Sequence, residues 1–566
     1  MEKDVLLEET GRHSRYSKRG LWVQGVRIAE AKARRTLTRD DPIAKAFGLV
    51  LALAALSFFI IRNVHGWTFL PFGDEAAHLL GALALHSGDR LYRSYVDQHG
   101  PVIFMVTQFY GVLTGWHDLT YARIVSTAFA LVSVLSVAFS PVLTSGLGRL
   151  WAAALYLGAL ASVWILQGLY MDSYHTIAGA FVVGGLGLFV MPAWFGRISS
   201  WMCTFACGFC FTMASFTAYS YAPAVTVLAV SGWLPSFLQA KELQSLGPRR
   251  TAGALLIGGV CSAIIVLVWL AVFGDILGFF VYHIIVNQLH VSTYINFTFG
   301  NFFWSFFPAP SALTAVHLTG LICFFCALVA YLCLVFVFHL YQLWLCMAAL
   351  LGFVGIALLN ARGMVTFQDG TFLMASLAAF ALVIAKLLSY LSFGSTRLRG
   401  CSTAVFLGMV LMFMELADRH ALGSPSGYTR QQIVAAPRYH YGIKESPLFD
   451  KIRRLVKQDT RILVLVYDPE LFLSIGRPAM KKYHTYLPWE ADYARSPWLG
   501  FRRDLCVDLA HQPPPVVYFD NWKVWDTYPP EQFMPCVIRI LGERYHRDTE
   551  FPDLYIRNDI DHGVVG

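Results

Sequence analysis

Long stretches of the chain carry few or no Asp, Glu, Lys or Arg residues, and their recurrence sets the architecture. A helix needs about 20 mainly apolar residues to cross the hydrocarbon core of a bilayer. Runs of this kind lie at 46–64, 122–143, 151–169, 174–192, 199–217, 221–239, 252–274, 312–338, 342–359, 371–391 and 402–420. They predict a polytopic α-helical membrane domain of about eleven spans over residues 46–422. The apolar piece Val102–Trp116 is too short to cross and would upset the alternation of basic loops, so it reads as a juxtamembrane helix.

Residues 423–566 change character: charges, Pro and Tyr return. Short β-like runs occur at Arg461–Tyr467, Val516–Phe519 and Leu554–Ile556, with helix-like stretches at Pro447–Lys457 and Pro530–Gly542 between them. Strands separated by helices predict a soluble α/β domain with a mainly parallel sheet. Asp468-Pro469-Glu470 and Asp520-Asn521-Trp522 follow two of the strands and read as turns.

Composition agrees with this division. Of 566 residues, 56% are hydrophobic and 14% charged, with a mean hydropathy of +0.52; soluble domains carry about 25% charged residues. The net charge of +8 does not point to nucleic acid, because the basic residues sit in short loops, where they set orientation and meet lipid headgroups. Residues 1–45 hold 11 Lys/Arg and 7 Asp/Glu without an apolar core. That excludes a cleaved signal peptide and predicts a cytoplasmic arm with an interfacial helix around Leu21–Thr36. Cys203, Cys207 and Cys210 have the spacing of some iron–sulfur sites, but their run Trp201–Phe211 is wholly apolar and they read as small buried hydrophobes. Cys506 and Cys536 lie in the polar tail and are free to pair if that tail is outside the cytoplasm.

With the N-terminus inside, the cytoplasmic turns fall at Gly146–Arg149, Phe195–Arg197, Lys241–Arg250, His339–Tyr341 and Ser395–Arg399, all but one with Arg or Lys. The outer segments are then 65–121, 170–173, 218–220, 275–311, 360–370 and 421–566. They collect Asp74, Glu75, His78, Arg90, Asp97, His99, Asp172, Tyr219, His283, Asn287, Asn360, Arg362, Gln368 and Asp369 on one face.

Adjacent carboxylates beside a span are costly to desolvate. Asp74 and Glu75 point about 100° apart on a helix, so one can face a cavity while the other meets a structural partner. A carboxylate in a low-dielectric pocket becomes a better general base. His78 shares their helical side and can orient a carboxylate. Asp172 reads either as the cap of the next span or as a second acidic site residue. Arg90, His99 and Arg362 suit a phosphate, because a guanidinium offers a fixed fork of donors; His78, Tyr219 and Asp97 complete this candidate set. Carboxylates with a histidine can take a divalent cation, so one is possible here, but Asp74-Glu75 is not an Asp-x-Asp pair and the sequence predicts no required metal.

Three motifs carry a resemblance. Gly73-Asp74-Glu75-Ala76, Ser87-Gly88-Asp89-Arg90-Leu91-Tyr92 and Asp97-Gln98-His99-Gly100-Pro101 resemble the multi-span GT-C glycosyltransferases. Within these the likeness is to the lipopolysaccharide-core galacturonosyltransferase, aminoarabinose and mannosyl transferase family. Arg123, Asp172 and Gly476-Arg477-Pro478 are further similar features, and the likeness covers the first 220 residues best. It implies a polyprenyl-phosphate-linked sugar donor, a glycan or glycolipid acceptor, and action at the periplasmic face of the bacterial inner membrane. It also implies Asp74 as catalytic base, with Glu75 and Asp172 as acidic neighbours. Gly100 stands where relatives have the first of two prolines. Tyr219 stands where many have a lysine, which shifts the donor-phosphate role toward Arg362 and Arg90. The alternatives are a flippase of lipid-linked sugar, which would place polar groups at midplane and show repeated halves, and an oligosaccharide ligase using the same donor class.

Overall fold

The structure, a computed structural model, describes residues 42–67, 74–114, 119–165, 168–197, 200–239, 247–295, 315–338, 343–360, 370–391, 396–420, 445–466 and 468–560. The N-terminal arm, including Leu21–Thr36, the turn Pro71–Gly73, and Arg362, Gln368 and Asp369 lie outside the described residues.

Each of the expected apolar runs contains a helix. Among the described residues, eight helices are long and apolar enough to cross a membrane: Ala44–Val64, Thr120–Ala138, Gly146–Trp164, Tyr174–Trp194, Gly247–Phe273, Ile276–Tyr294, Leu318–Val335 and Gly370–Ser389. The runs at 199–217, 342–359 and 402–420 form shorter apolar helices. The run at 221–239 is divided into Ala222–Trp233 and Pro235–Gln239, as expected of a proline that cannot donate a helical hydrogen bond. The helix expected to reach residue 143 stops at Ala138, ahead of Pro141.

The Tyr174–Trp194 and Gly370–Ser389 segments form the centre of the bundle, each 89% buried. The Ala44–Val64 and Gly247–Phe273 segments are peripheral, with Ile61 and Leu256 60% and 68% exposed. Exposed apolar faces of this extent require a lipid surround. Trp201–Thr217 and Gly247–Phe273 touch backbone to backbone: a methyl on Gly208 would collide with the Leu255 carbonyl, and one on Gly258 with that of Phe205. Small residues at a crossing allow such approach.

Within 275–311, placed by the sequence in an outer segment, lies a continuous helix. Ile276–Phe279, the π-helical Phe280–Val291 and Ser292–Ile295 follow one another without a break. Its length would span a membrane, and it packs against the loop of residues 92–98 and the tail. A methyl on Gly278 would meet Tyr92 Cβ at 3.0 Å, His283 bonds the Gln98 carbonyl, and Tyr294 bonds Asp492 in the tail.

The C-terminal sheet comprises β1 (Leu463–Leu465), β2 (Val516–Phe519), β3 (Tyr545–Arg547) and β4 (Leu554–Arg557), in the order β1-β2-β4-β3. Only β1 and β2 are parallel; β4 runs antiparallel to both β2 and β3. The mainly parallel expectation is corrected here because β3 and β4 are joined by a short turn, which can connect only antiparallel strands. Leu463, Leu465, Val517, Leu505, Val537 and Leu541 fill the domain core. A disulfide joins Cys506 to Cys536, tying Leu505–His511 to Pro535–Arg544.

Candidate functional site

Asp74 opens the helix Glu75–His86, its carbonyl accepting the His78 N–H at 3.0 Å. Its side chain makes no cap bond with the helix. Instead Asp74 Oδ2 lies 3.3 Å from His99 Nε2. His99 is held from behind by Asp97, whose Oδ1 accepts the His99 backbone N–H at 2.8 Å and lies 2.6 Å from its Nδ1. The turn carrying both presses against the end of Trp201–Thr217, and a methyl on Gly100 would collide with the carbonyl oxygens of Phe216 and Thr217. The close approach leaves room only for glycine at this position. Burial alone would depress the His99 imidazole, but Asp97 and Asp74 outweigh it and hold His99 well above its ordinary value. Burial likewise works to raise Asp97, but His99 and His484 hold it well below the usual carboxylate range.

Glu75 turns away from this pair. Its two oxygens take Arg123 Nε and Nη2 at 3.1 and 2.9 Å, and Glu75 Oε1 also accepts the Asp172 backbone N–H at 2.9 Å. Arg123 is fully buried, donates to the Gly66 carbonyl at 2.8 Å, and lies over the Tyr170 ring. A charged pair this deep is sustained only by such complete bonding.

Asp172 does not cap the following helix; Ser173 does, through His175 N–H. The Asp172 carboxylate is drawn aside by helix Pro101–Thr114, Oδ2 accepting from Thr107 Oγ1 at 2.8 Å and Tyr110 OH at 3.2 Å. Oδ1 has no hydrogen-bond partner among the described residues. Burial, aided by Glu75, pushes this carboxyl up to about 7. His78 donates from Nδ1 to the Asp172 carbonyl at 3.0 Å and sets its ring edge-on to His99 at 5.0 Å. Burial first and His99 second pull His78 down to about 4.

The structure thus brings Asp74, Glu75, His78, Asp97, His99 and Asp172 into one connected cluster. Of its carboxylates, Glu75, Asp97 and Asp172 are 2%, 5% and 1% exposed, whereas the Asp74 side chain is 19% exposed. Arg90 lies aside, Nη2 donating to the Ala271 carbonyl at 2.9 Å. Tyr219 donates its backbone N–H to His283 Nε2 at 3.3 Å, while His283 Nδ1 and Asn287 Nδ2 each lie 2.8 Å from the Gln98 carbonyl. Among the described residues, no three His, Cys, Asp or Glu side chains are grouped to hold a metal ion.

Sequence reasoning missed Thr107, Tyr110 and the tail residue His484. His484 Nε2 lies 3.1 Å from Asp97 Oδ2. Its only local signal is a histidine set within the aromatic run Tyr483–Tyr486.

The fold is GT-C-like. The chain is similar to the crystal structure of ArnT from Cupriavidus metallidurans bound to undecaprenyl phosphate, with 12% identity, a TM-score of 0.51, and coverage of 92% of this chain and 99% of that one. Apo ArnT from the same organism matches at 13% identity and TM-score 0.48, over 91% and 98%. The Archaeoglobus fulgidus oligosaccharyltransferase tethered to an acceptor peptide matches at 12% and 0.46, over 90% and 74%. Neither a family model nor a curated protein sequence matches the chain.

Proposed function

We propose that this protein is an inverting glycosyltransferase that moves a sugar from a polyprenyl-phosphate donor to a hydroxyl of a glycolipid or polysaccharide at the periplasmic face of the bacterial inner membrane. The observation that carries this reading is the accessible carboxylate of Asp74, backed by His99 in a cluster of buried acids on the fold described above. In this reading the acceptor oxygen bonds to the anomeric carbon as its proton passes to Asp74. The bond from that carbon to phosphate breaks, and the electron pair leaves with the lipid phosphate. His99 orients the base, while Glu75 and Asp172 set the position of Asp74 through Arg123 and helix Pro101–Thr114. Arg362 takes the leaving phosphate, whose growing charge needs a cation, and Arg90 anchors the loop at Ala271. The Cys506–Cys536 disulfide supports a tail outside the cytoplasm, since such bonds persist in oxidising compartments.

The test is transfer from radiolabelled undecaprenyl-phosphate pentoses and hexoses to an envelope glycolipid extract by purified protein. Wild type transfers label and Asp74→Asn, folded to the same melting temperature, does not. Undiminished turnover by the variant overturns the base assignment. Mass spectrometry of envelope glycans with and without the protein identifies sugar and acceptor.

A further inference from the structure

The C-terminal domain meets the membrane domain at several polar contacts, and at one of them the tail's side chain is buried. His484 is 4% exposed, its Nε2 3.1 Å from Asp97 Oδ2. Asp97 then holds His99, and His99 meets Asp74. Carboxylate and imidazole alternate along this row, each using a different atom for each neighbour. A second path leads to the same helix: the His484 ring stacks on Tyr95, centroids 4.4 Å apart and planes 11° off parallel. Tyr95 OH donates to the Ala77 carbonyl at 2.7 Å, three residues after Asp74.

The backbone around His484 is built to deliver it. The Lys482 N–H donates to the Ser94 carbonyl at 2.7 Å, with Lys482 at φ 70°, a left-handed conformation that non-glycine residues adopt at a cost. Tyr92, on the facing loop, is also left-handed at φ 62°. Arg461 bonds Asp89 at 2.9 Å and fixes a neighbouring contact outside the row.

We infer that His484 is a positioning residue of the transfer site: the C-terminal domain completes that site by holding Asp97, and through it His99, against Asp74. This rests on the glycosyltransferase reading above. His484 Nε2–H donates to Asp97 Oδ2, so Asp97 cannot rotate away, and His99 keeps the angle that orients the base. Domain docking and competence of the base are one event.

The full-length protein tests this with the same radiolabelled undecaprenyl-phosphate sugars. His484→Ala lowers kcat on the order of 10²-fold, the loss typical of a small misplacement of a reacting group, and leaves KM unchanged. His484→Gln, whose amide nitrogen can occupy the position of Nε2, restores most of kcat. Arg461→Ala removes a contact beside the row without touching it and keeps near-wild-type kcat. Full kcat in His484→Ala, or an equal loss in Arg461→Ala, overturns the inference. A readout independent of transfer is the 15N spectrum of labelled histidine, in which His484→Ala shifts the His99 ring signals and unchanged signals overturn the inference. Retained transfer in Asp74→Asn would instead remove the base assignment, and the spectrum would still decide the role of His484.

Discussion

The Asp172 backbone N–H donates to Glu75 Oε1 over 2.9 Å, so the acid next to Asp74 ties the start of its helix to the turn before Tyr174. Two carboxylates adjacent in sequence therefore have separate tasks. Glu75 is locked between Arg123 and the Asp172 backbone, while the Asp74 side chain stays partly exposed.

Removing one member of the Glu75–Arg123 pair leaves a buried uncompensated charge. Arg123→Met should cost about 3–5 kcal/mol of stability, and Arg123→Met with Glu75→Gln should recover much of it. Thermal unfolding in detergent measures both; equal melting temperatures for wild type and Arg123→Met would contradict the pairing.

Asp172 gives a pH signature. Its folded value near 7 exceeds the unfolded value of 3.8, so the folded state holds the proton more tightly. That contribution is fully present below about 3.8 and is lost as pH rises through about 7. Asp172→Asn removes the dependence while keeping an acceptor for Thr107 and Tyr110. Between pH 5 and 8 the melting temperature of wild type should fall relative to that of the variant.

His99 and Asp97 titrate in opposite directions. His99 stabilises fully below 6.5 and loses this only as pH climbs through its higher folded value; Asp97 stabilises above 3.8 and loses this only as pH falls through its lower one. The pair is therefore charged at pH 6.5. In 15N spectra at that pH His99 should be an imidazolium and His78 a neutral ring. In Asp97→Asn the His99 titration should move down toward the neutral range, measured by the same signals.

Gly100→Ala places a methyl against two carbonyl oxygens of the neighbouring helix end, a backbone obstacle that no rotamer relieves. Accommodating it must shift the turn bearing Asp97 and His99. Transfer should fall on the order of 10²-fold, with the melting temperature also lowered; wild-type rates would show that the turn is not pressed so closely.

The Cys506–Cys536 bond closes a 30-residue separation. Its loss in Cys506→Ser with Cys536→Ser should cost about 3 kcal/mol in the tail domain. Limited proteolysis should then cut residues 445–560 faster, with the membrane helices unaffected.

The helices were readable because apolar runs of spanning length have few other fates. Their ends were less so: Pro141 and Pro235 sit within apolar stretches whose hydropathy outweighs them. The helix after Asp275 was not counted among the spans because His283, Asn287, Gln288 and His290 break its apolar pattern. Their partners, chiefly the Gln98 carbonyl, come from a distant loop. At the site, local geometry separated Asp74 from Glu75, but which was buried depended on Arg123, 48 residues along. His484 was beyond reach for the same reason: its partner precedes nearly the whole membrane domain in the chain.

That order in the chain has a temporal consequence. Asp74, His99 and Asp97 leave the ribosome with the earliest membrane helices, whereas His484 follows the last one. The row from His484 to Asp74 cannot form until every intervening helix has been inserted and the tail has folded back over the first loop. A nascent or arrested chain already in the bilayer, surrounded by lipid carriers, would hold its acids without the group that aims them, and biogenesis itself would delay activity until assembly is complete.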